Sequence, residues 1–135
     1  MSDFESLDAK GLKVEKIFYS YQEPTITHGA FKLENGSEEM VSFSISQVRC
    51  LAGGDVIPIE EFFLYLLPEY EEQEPSGFEL PPNSIQQYEV SFPPVPAAAY
   101  LRADVHIEVT LDQDGKTIKV LSPYEIIRRT PKSTR

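Results

Sequence analysis

Three side chains capable of acid–base chemistry lie at alternate positions of one segment. Asp104, His106 and Glu108 are separated by Val105 and Ile107, the pattern of a strand whose successive side chains point to opposite faces. Alternate Cβ atoms on one face are about 7 Å apart, so two carboxylates and an imidazole could jointly hold a metal ion or transfer protons. Polar residues are also the ordinary covering of a solvated sheet face. We interpret the three as a solvated face and keep a small hydrolase or isomerase as an alternative.

A second polar motif, Asp112-Gln113-Asp114-Gly115, follows directly. Alternating acids can bring carboxylate oxygens onto one hard cation such as calcium, and glycine permits a sharp turn. The motif lacks the later bidentate glutamate and the flanking helices of an EF-hand. It therefore predicts a hairpin turn first, and a cation or small-ligand site that uses Asp112 and Asp114 second.

The single cysteine, Cys50, ends an apolar segment beside Val48 and Leu51. A nucleophilic thiol needs a base or a positive charge nearby to lower its pKa, and Arg49 would point to the opposite face of a strand. We therefore expect a structural thiol. The sequence contains no nucleophile elbow, glycine-rich phosphate loop or two-cysteine zinc motif, so it predicts no catalytic residue and no cofactor.

The elements that would position these residues are strands. Apolar and polar residues alternate over residues 41–45, 88–92 and 105–111, as in strands with one buried face. The pair Asn35-Gly36 predicts a tight hairpin leading into the first of these segments, because both residues tolerate positive φ angles. About seven short strands with closely spaced turns predict an all-β sandwich.

Residues 60–67 fit two structures. The segment is rich in aromatic residues that strands favour. It also places Phe62, Phe63, Leu66 and Leu67 as one face of a helix would, after the two acids Glu60 and Glu61 that suit a helix N-terminus. We favour a strand and keep a possible short helix near residues 60–67.

The turn Leu80-Pro81-Pro82-Asn83-Ser84 and the strand Tyr88-Glu89-Val90-Ser91-Phe92 that follows it carry a resemblance. Together with the strand Val41-Ser42-Phe43-Ser44-Ile45 and a final hairpin, they resemble immunoglobulin-like accessory modules of the fibronectin type III kind. Asn83 stands where those modules commonly have glycine. The resemblance implies an immunoglobulin-like antiparallel β-sandwich of about seven strands with a noncatalytic adhesive or scaffolding role. It implies no particular functional residues.

The length of 135 residues suits one domain. We expect an N-terminal tail over residues 1–11, a single sandwich domain over residues 12–127 and a basic C-terminal tail over residues 128–135. The last eight residues contain four of the 12 bases and none of the 22 acids, so the preceding body carries a net charge of −14. Such a body would repel nucleic acid. The tail is either a solvated terminus or a docking segment for an acidic partner, nucleic acid or an anionic membrane.

The expected compartment is the cytoplasm. One cysteine cannot form an internal disulfide, and residues 1–5 lack the features of a signal peptide. The longest apolar run, residues 62–67, is far below the ~20 residues that cross a bilayer, so we expect no membrane span.

The aromatic residues suggest a binding role. The chain has seven tyrosines and eight phenylalanines, more than one small core requires, and tyrosine is enriched where proteins bind one another. The candidate interaction residues are Phe62, Phe63, Tyr65 and Tyr70. The sequence therefore favours a noncatalytic protein-interaction or scaffolding module that binds a protein partner or forms a homodimer.

Overall fold

Ten strands lie in the part of the chain that the computed structural model describes, which comprises residues 15–19, 24–100 and 104–128. The strands are β1 (Glu15–Tyr19), β2 (Thr25–Asn35), β3 (Val41–Ala52), β4 (Asp55–Ile59), β5 (Phe63–Leu66), β6 (Glu71–Gln73), β7 (Phe78–Leu80), β8 (Ser84–Pro96), β9 (Val105–Gln113) and β10 (Lys116–Arg128). A single 3-10 turn covers Ala98–Tyr100. The expected tail over residues 1–11 lies outside the described residues, as does the expected tail over residues 128–135 except for Arg128, which ends β10. The division into one domain with two tails stays a prediction.

The strands form two sheets. The first has the order β1-β10-β9-β3-β4, and β7 pairs with the start of β3; the second has the order β2-β8-β5-β6. All described pairings are antiparallel except β1 with β10, which is parallel. The sheets pack face to face, so the predicted all-β sandwich is confirmed.

The core lies between the inner faces of the sheets. The inner residues of β9 are Val105, Ile107, Val109 and Leu111, as their alternation predicts, and each is at most 1% exposed. Four aromatic rings cross from one sheet to the other. Their centroids lie 5.8 Å apart from Phe43 to Phe78, 5.2 Å from Phe78 to Tyr88 and 5.6 Å from Tyr88 to Phe31.

In two long strands, a bulge changes which alternate residues face the core, so residues at even and at odd positions are both buried. In β3 the pairing register shifts between Ile45 and Gln47. The buried residues accordingly change from Val41 and Phe43 to Val48, Cys50 and Ala52. A similar shift between Ile26 and His28 divides β2. Because a one-residue insertion exchanges the faces of a strand, each bulge turns the following apolar set towards the core.

Two expectations for the region of residues 55–67 differ from the structure: the number of strands and the possible short helix. The chain leaves the first sheet at Ile59, the end of β4, and enters the second at Phe63, the start of β5. Leu64 is 1% exposed and pairs with Val90, whereas Phe63 is 56% exposed. This two-residue alternation is that of a strand, so the possible short helix near residues 60–67 is wrong. The crossover and the short strands β6 and β7 raise the number of strands from about seven to ten.

The predicted tight hairpin at Asn35-Gly36 is also wrong, because β2 and β3 lie in different sheets. Asn35 is buried, and its side chain stabilises the connection that leads from β2 in one sheet to β3 in the other. Its amide donates to the carbonyl oxygens of Glu39, Leu80 and Pro81, and its side-chain oxygen accepts from the backbone N–H and hydroxyl of Ser37. These hydrogen bonds satisfy polar groups of a connection whose backbone is not paired in a β-ladder, and they thereby stabilise it.

Two close contacts join the sheets where β2 approaches β9 and β10. The hydroxyl of Tyr124 donates to the carbonyl oxygen of His28, and the N–H of Ala30 donates to the hydroxyl of Ser122 at 3.2 Å. A Cβ added to Gly29 would lie 2.7 Å from two carbon atoms of Ile107. The sheets therefore approach here as closely as glycine allows.

Candidate functional site

The three acid–base candidates Asp104, His106 and Glu108 differ in exposure. Asp104 is exposed just before the strand, His106 is half-buried, and Glu108 is only 6% exposed. Arg49 is the cross-strand neighbour of Glu108 on β3, and its Nε and Nη2 atoms lie 2.8 Å and 2.7 Å from Oε1 of that carboxylate. Glu108 is thus engaged in a largely buried ion pair. The small-enzyme alternative stays a prediction.

The motif over residues 112–115 forms the predicted hairpin turn between β9 and β10. Asp114 and Gly115 have φ angles of 52° and 81°, as the two central residues of a type I′ turn require. Oδ1 of Asp112 accepts from the hydroxyl of Thr117 at 3.1 Å, and Oδ2 of Asp114 accepts from Nε2 of Gln113 at 3.0 Å. The cation site that would use Asp112 and Asp114 stays a prediction. Among the described residues, no three His, Cys, Asp or Glu side chains are grouped so that they could hold a metal ion.

Cys50 is buried on the inner face of β3, as a structural thiol would be. Burial raises the pKa of this thiol above its ordinary value, because the apolar surroundings disfavour the thiolate. The effect is the reverse of what a reactive cysteine needs.

An aromatic cluster lies on the outer face of the second sheet. Phe63 and Tyr65 are alternate residues of β5 and point away from the core, while Leu64 between them points into it. Tyr70 follows in the turn before β6 and is 57% exposed. Its ring centroid lies 6.2 Å from that of Tyr65, at an interplanar angle of 60°. We call Phe63, Tyr65 and Tyr70 the aromatic patch.

Phe62, the remaining candidate, does not belong to this patch. It is half-buried and packs against the core. Phe62 precedes β5, and its neighbour Phe63 is directed outwards, so two consecutive phenylalanines serve opposite sides of the sheet. The sequence identified a group of aromatic residues, and the alternation within it decides which of them solvent can reach.

Acidic residues adjoin the aromatic patch. Glu89 on β8 and Glu72 on β6 are the cross-strand neighbours of Tyr65. Oε1 of Glu89 accepts from the hydroxyl of Tyr70 at 3.5 Å, and Oε2 accepts from the hydroxyl of Ser91 at 3.0 Å. The patch therefore has a carboxylate at its centre and another on the edge strand of the sheet.

The sequence analysis missed these glutamates, although the sequence contains a signal for them. No Lys, Arg or His lies between Arg49 and Arg102, and the same stretch contains eight glutamates and one aspartate. It includes all of β4 to β8 and therefore the whole aromatic patch. The acidity of the chain is concentrated on this part of the molecule.

Comparison with known proteins gives only distant structural similarity. No protein-family model and no curated protein matches the sequence. Among solved structures, the CooA pilin subunit from enterotoxigenic Escherichia coli is similar over 93% of this chain and 97% of that chain, with 10% sequence identity and a TM-score of 0.36. A similarity at this level supports no inference about function. No helix among the described residues is long and apolar enough to cross a membrane.

Proposed function

We propose that this protein is a noncatalytic protein-binding β-sandwich that contacts its partner through the aromatic patch. The observation that carries the proposal is the exposure of two large rings, 56% for Phe63 and 57% for Tyr70, on one face of a sheet. The immunoglobulin-like relationship and the cytoplasmic location expected from the sequence belong to the same proposal.

Aromatic side chains suit such a role for energetic reasons. Phe and Tyr bury a large area on binding while few rotatable bonds are immobilised, and the Tyr hydroxyl can still find a polar partner. Phe63 and Tyr65 stand on a strand paired on both sides, by β8 and β6, so their positions are fixed before binding. Less entropy is lost on association when the contact groups are preorganised.

The outer face of the first sheet offers a natural comparison. Val56 on β4 is 55% exposed, about as much as Phe63, but it belongs to the opposite sheet. Single exposed apolar residues are normal on a protein surface. The aromatic patch differs because the register places Tyr65 beside the carboxylate that accepts from Tyr70.

Photocrosslinking of the full chain tests the proposal. A photoreactive phenylalanine analogue at position 63 should crosslink a defined partner, or a second copy of the chain, in source cells, whereas the same analogue at position 56 should not. The identified partner should then bind the purified Phe63→Ser/Tyr70→Ser protein about tenfold more weakly or worse, since truncation of central aromatic anchors commonly costs this much. The matched control Val56→Ser should bind as the wild type does. Equal binding by all three proteins would refute the proposed surface.

A further inference from the structure

The charge around the aromatic patch specifies the chemistry of its partner. Six glutamates between β4 and β7 are exposed, namely Glu60, Glu61, Glu69, Glu71, Glu72 and Glu74. Between described side chains, the one ion pair is Arg49 with Glu108, which lies in the other sheet. No described base forms an ion pair with the acids near the patch. These acids therefore repel one another, and a cationic partner would relieve that repulsion.

The geometry at the centre of the patch suits a cation in particular. Tyr65 and Tyr70 meet edge to face, and Glu89 lies directly beside both of them. A guanidinium or ammonium group is attracted by an aromatic face and forms charge-assisted hydrogen bonds with a carboxylate. Glu89 accepts from two hydroxyls and keeps further lone pairs on both oxygens, so it can still accept from a third donor.

The edge strand of the second sheet, β6, adds further carboxylates beside the aromatic patch. β6 is only three residues long, and two of these are the exposed Glu71 and Glu72. Glu72 flanks Tyr65 on the side opposite Glu89. Lys32 is a base on the same face, opposite Gln87 and two residues along β8 from Glu89. Thus Tyr65 has a carboxylate on each neighbouring strand, an arrangement that two successive basic side chains could match.

We infer that the partner presents a basic protein segment whose Arg or Lys side chains lie on Tyr65 and Tyr70 and pair with Glu72 and Glu89. This inference rests on the proposed function and adds the class of partner to it. An anionic partner such as nucleic acid or an acidic membrane would meet the same charges as repulsion. Complementary charge should also speed association, and salt should weaken it.

Two peptide probes of equal length test the inference on the full chain. One alternates arginine with leucine, and the other alternates glutamate with leucine. We expect the arginine peptide to bind, the glutamate peptide not to bind, and added salt to weaken the binding. Glu72→Gln/Glu89→Gln should weaken it about fivefold to tenfold. The control Glu38→Gln/Glu79→Gln removes the same charge from exposed sites on the β2–β3 connection and on β7, and it should have at most a small effect.

The outcomes separate the two proposals. If Phe63→Ser/Tyr70→Ser abolishes partner binding while Glu72→Gln/Glu89→Gln does not, the surface stands and the basic partner is wrong. If the aromatic variant binds its crosslinked partner as the wild type does, the proposed surface itself fails. A variant that ends at Arg128 tests the chain's own basic residues as the occupant. Much tighter binding of the arginine peptide by this variant would show that those residues, and not a partner, occupy the patch.

Discussion

At the scale of single residues, burial changes the chemistry that a sequence suggests. Glu108 stands at a position that alternation assigns to the solvated face, yet it is 6% exposed, and the side chains of its cross-strand neighbours Arg49 and Leu121 flank it on that face. A carboxylate in such surroundings is stabilised by a close positive charge, and Arg49 supplies it. Removing one member of a buried pair costs more than the pair itself contributes.

Tyr88 leads to a prediction about alkaline pH. Burial raises the pKa of its hydroxyl from 10.0 to about 12, so the folded state holds this proton more tightly than the unfolded state does. The resulting stability is complete below about pH 10 and is lost as the pH rises towards 12. We expect a loss of roughly 2–3 kcal/mol over that interval from this group. Cys50, whose pKa is also raised by burial, acts in the same direction.

Urea unfolding of Tyr88→Phe measures this effect. The variant lacks the hydroxyl that donates to Oε1 of Gln86, so we expect a change of about 1 kcal/mol or less at neutral pH. Between pH 10 and 12 it should lose less stability than the wild type. Tyr65→Phe removes a hydroxyl from the surface of the same sheet and should follow the wild type. Equal losses of stability between pH 10 and 12 in all three proteins would show that ionisation of Tyr88 does not cause the alkaline destabilisation.

At the scale of elements, two similar turn signals have different outcomes. Asp114-Gly115 joins two strands that pair with each other, and Asn35-Gly36 joins two strands in different sheets. Both dipeptides allow positive φ angles, so the local preference is nearly the same. The difference lies in the partners of the flanking strands, which neither dipeptide encodes.

The β9–β10 turn depends on the freedom of Gly115. Its φ angle of 81° is unfavourable for a side chain branched at Cβ. Gly115→Val should therefore destabilise the protein by about 1–2 kcal/mol or more in urea unfolding. Asp114→Asn keeps a residue that tolerates the φ angle of 52° at the preceding position and should change the stability by less than about 0.5 kcal/mol. A valine variant as stable as the wild type would show that the turn is not fixed in this conformation.

At the scale of the whole molecule, stability depends on how closely two twisted sheets can approach. The approach is close where β2 meets β9, since Gly29 leaves no room for a methyl group beside Ile107. The hydrogen bonds from Tyr124 and to Ser122 occupy backbone groups of β2 at the same place. The contact of Gly29 with Ile107 and the hydrogen bonds of Tyr124 and Ser122 therefore require the same distance between the sheets.

Gly29→Ala tests this spacing. The added Cβ would lie 2.7 Å from Cβ and Cγ2 of Ile107, so the sheets must move apart locally. We expect a loss of about 1–3 kcal/mol in the free energy of unfolding, as overpacked cores show. Gly77→Ala is the matched control, because a Cβ at Gly77 meets no heavy atom within 4 Å. Equal stability of the two variants would mean that the sheets can accommodate an additional methyl group at this contact without a loss of stability.

The sequence by itself determined the features that depend on neighbouring residues. The two-residue alternation of β8 and β9 gave their inner faces, and Asp-Gly gave the final hairpin, since φ/ψ preferences and side-chain direction are properties of a few adjacent residues. Only the tertiary structure decided that β2 and β3 join different sheets, that Arg49 meets Glu108 and that the hydroxyl of Tyr70 donates to Glu89. These contacts join residues 19 to 59 positions apart or depend on the partners of whole strands. They are selected by the collective burial of both inner faces, and no short segment of the chain contains that information.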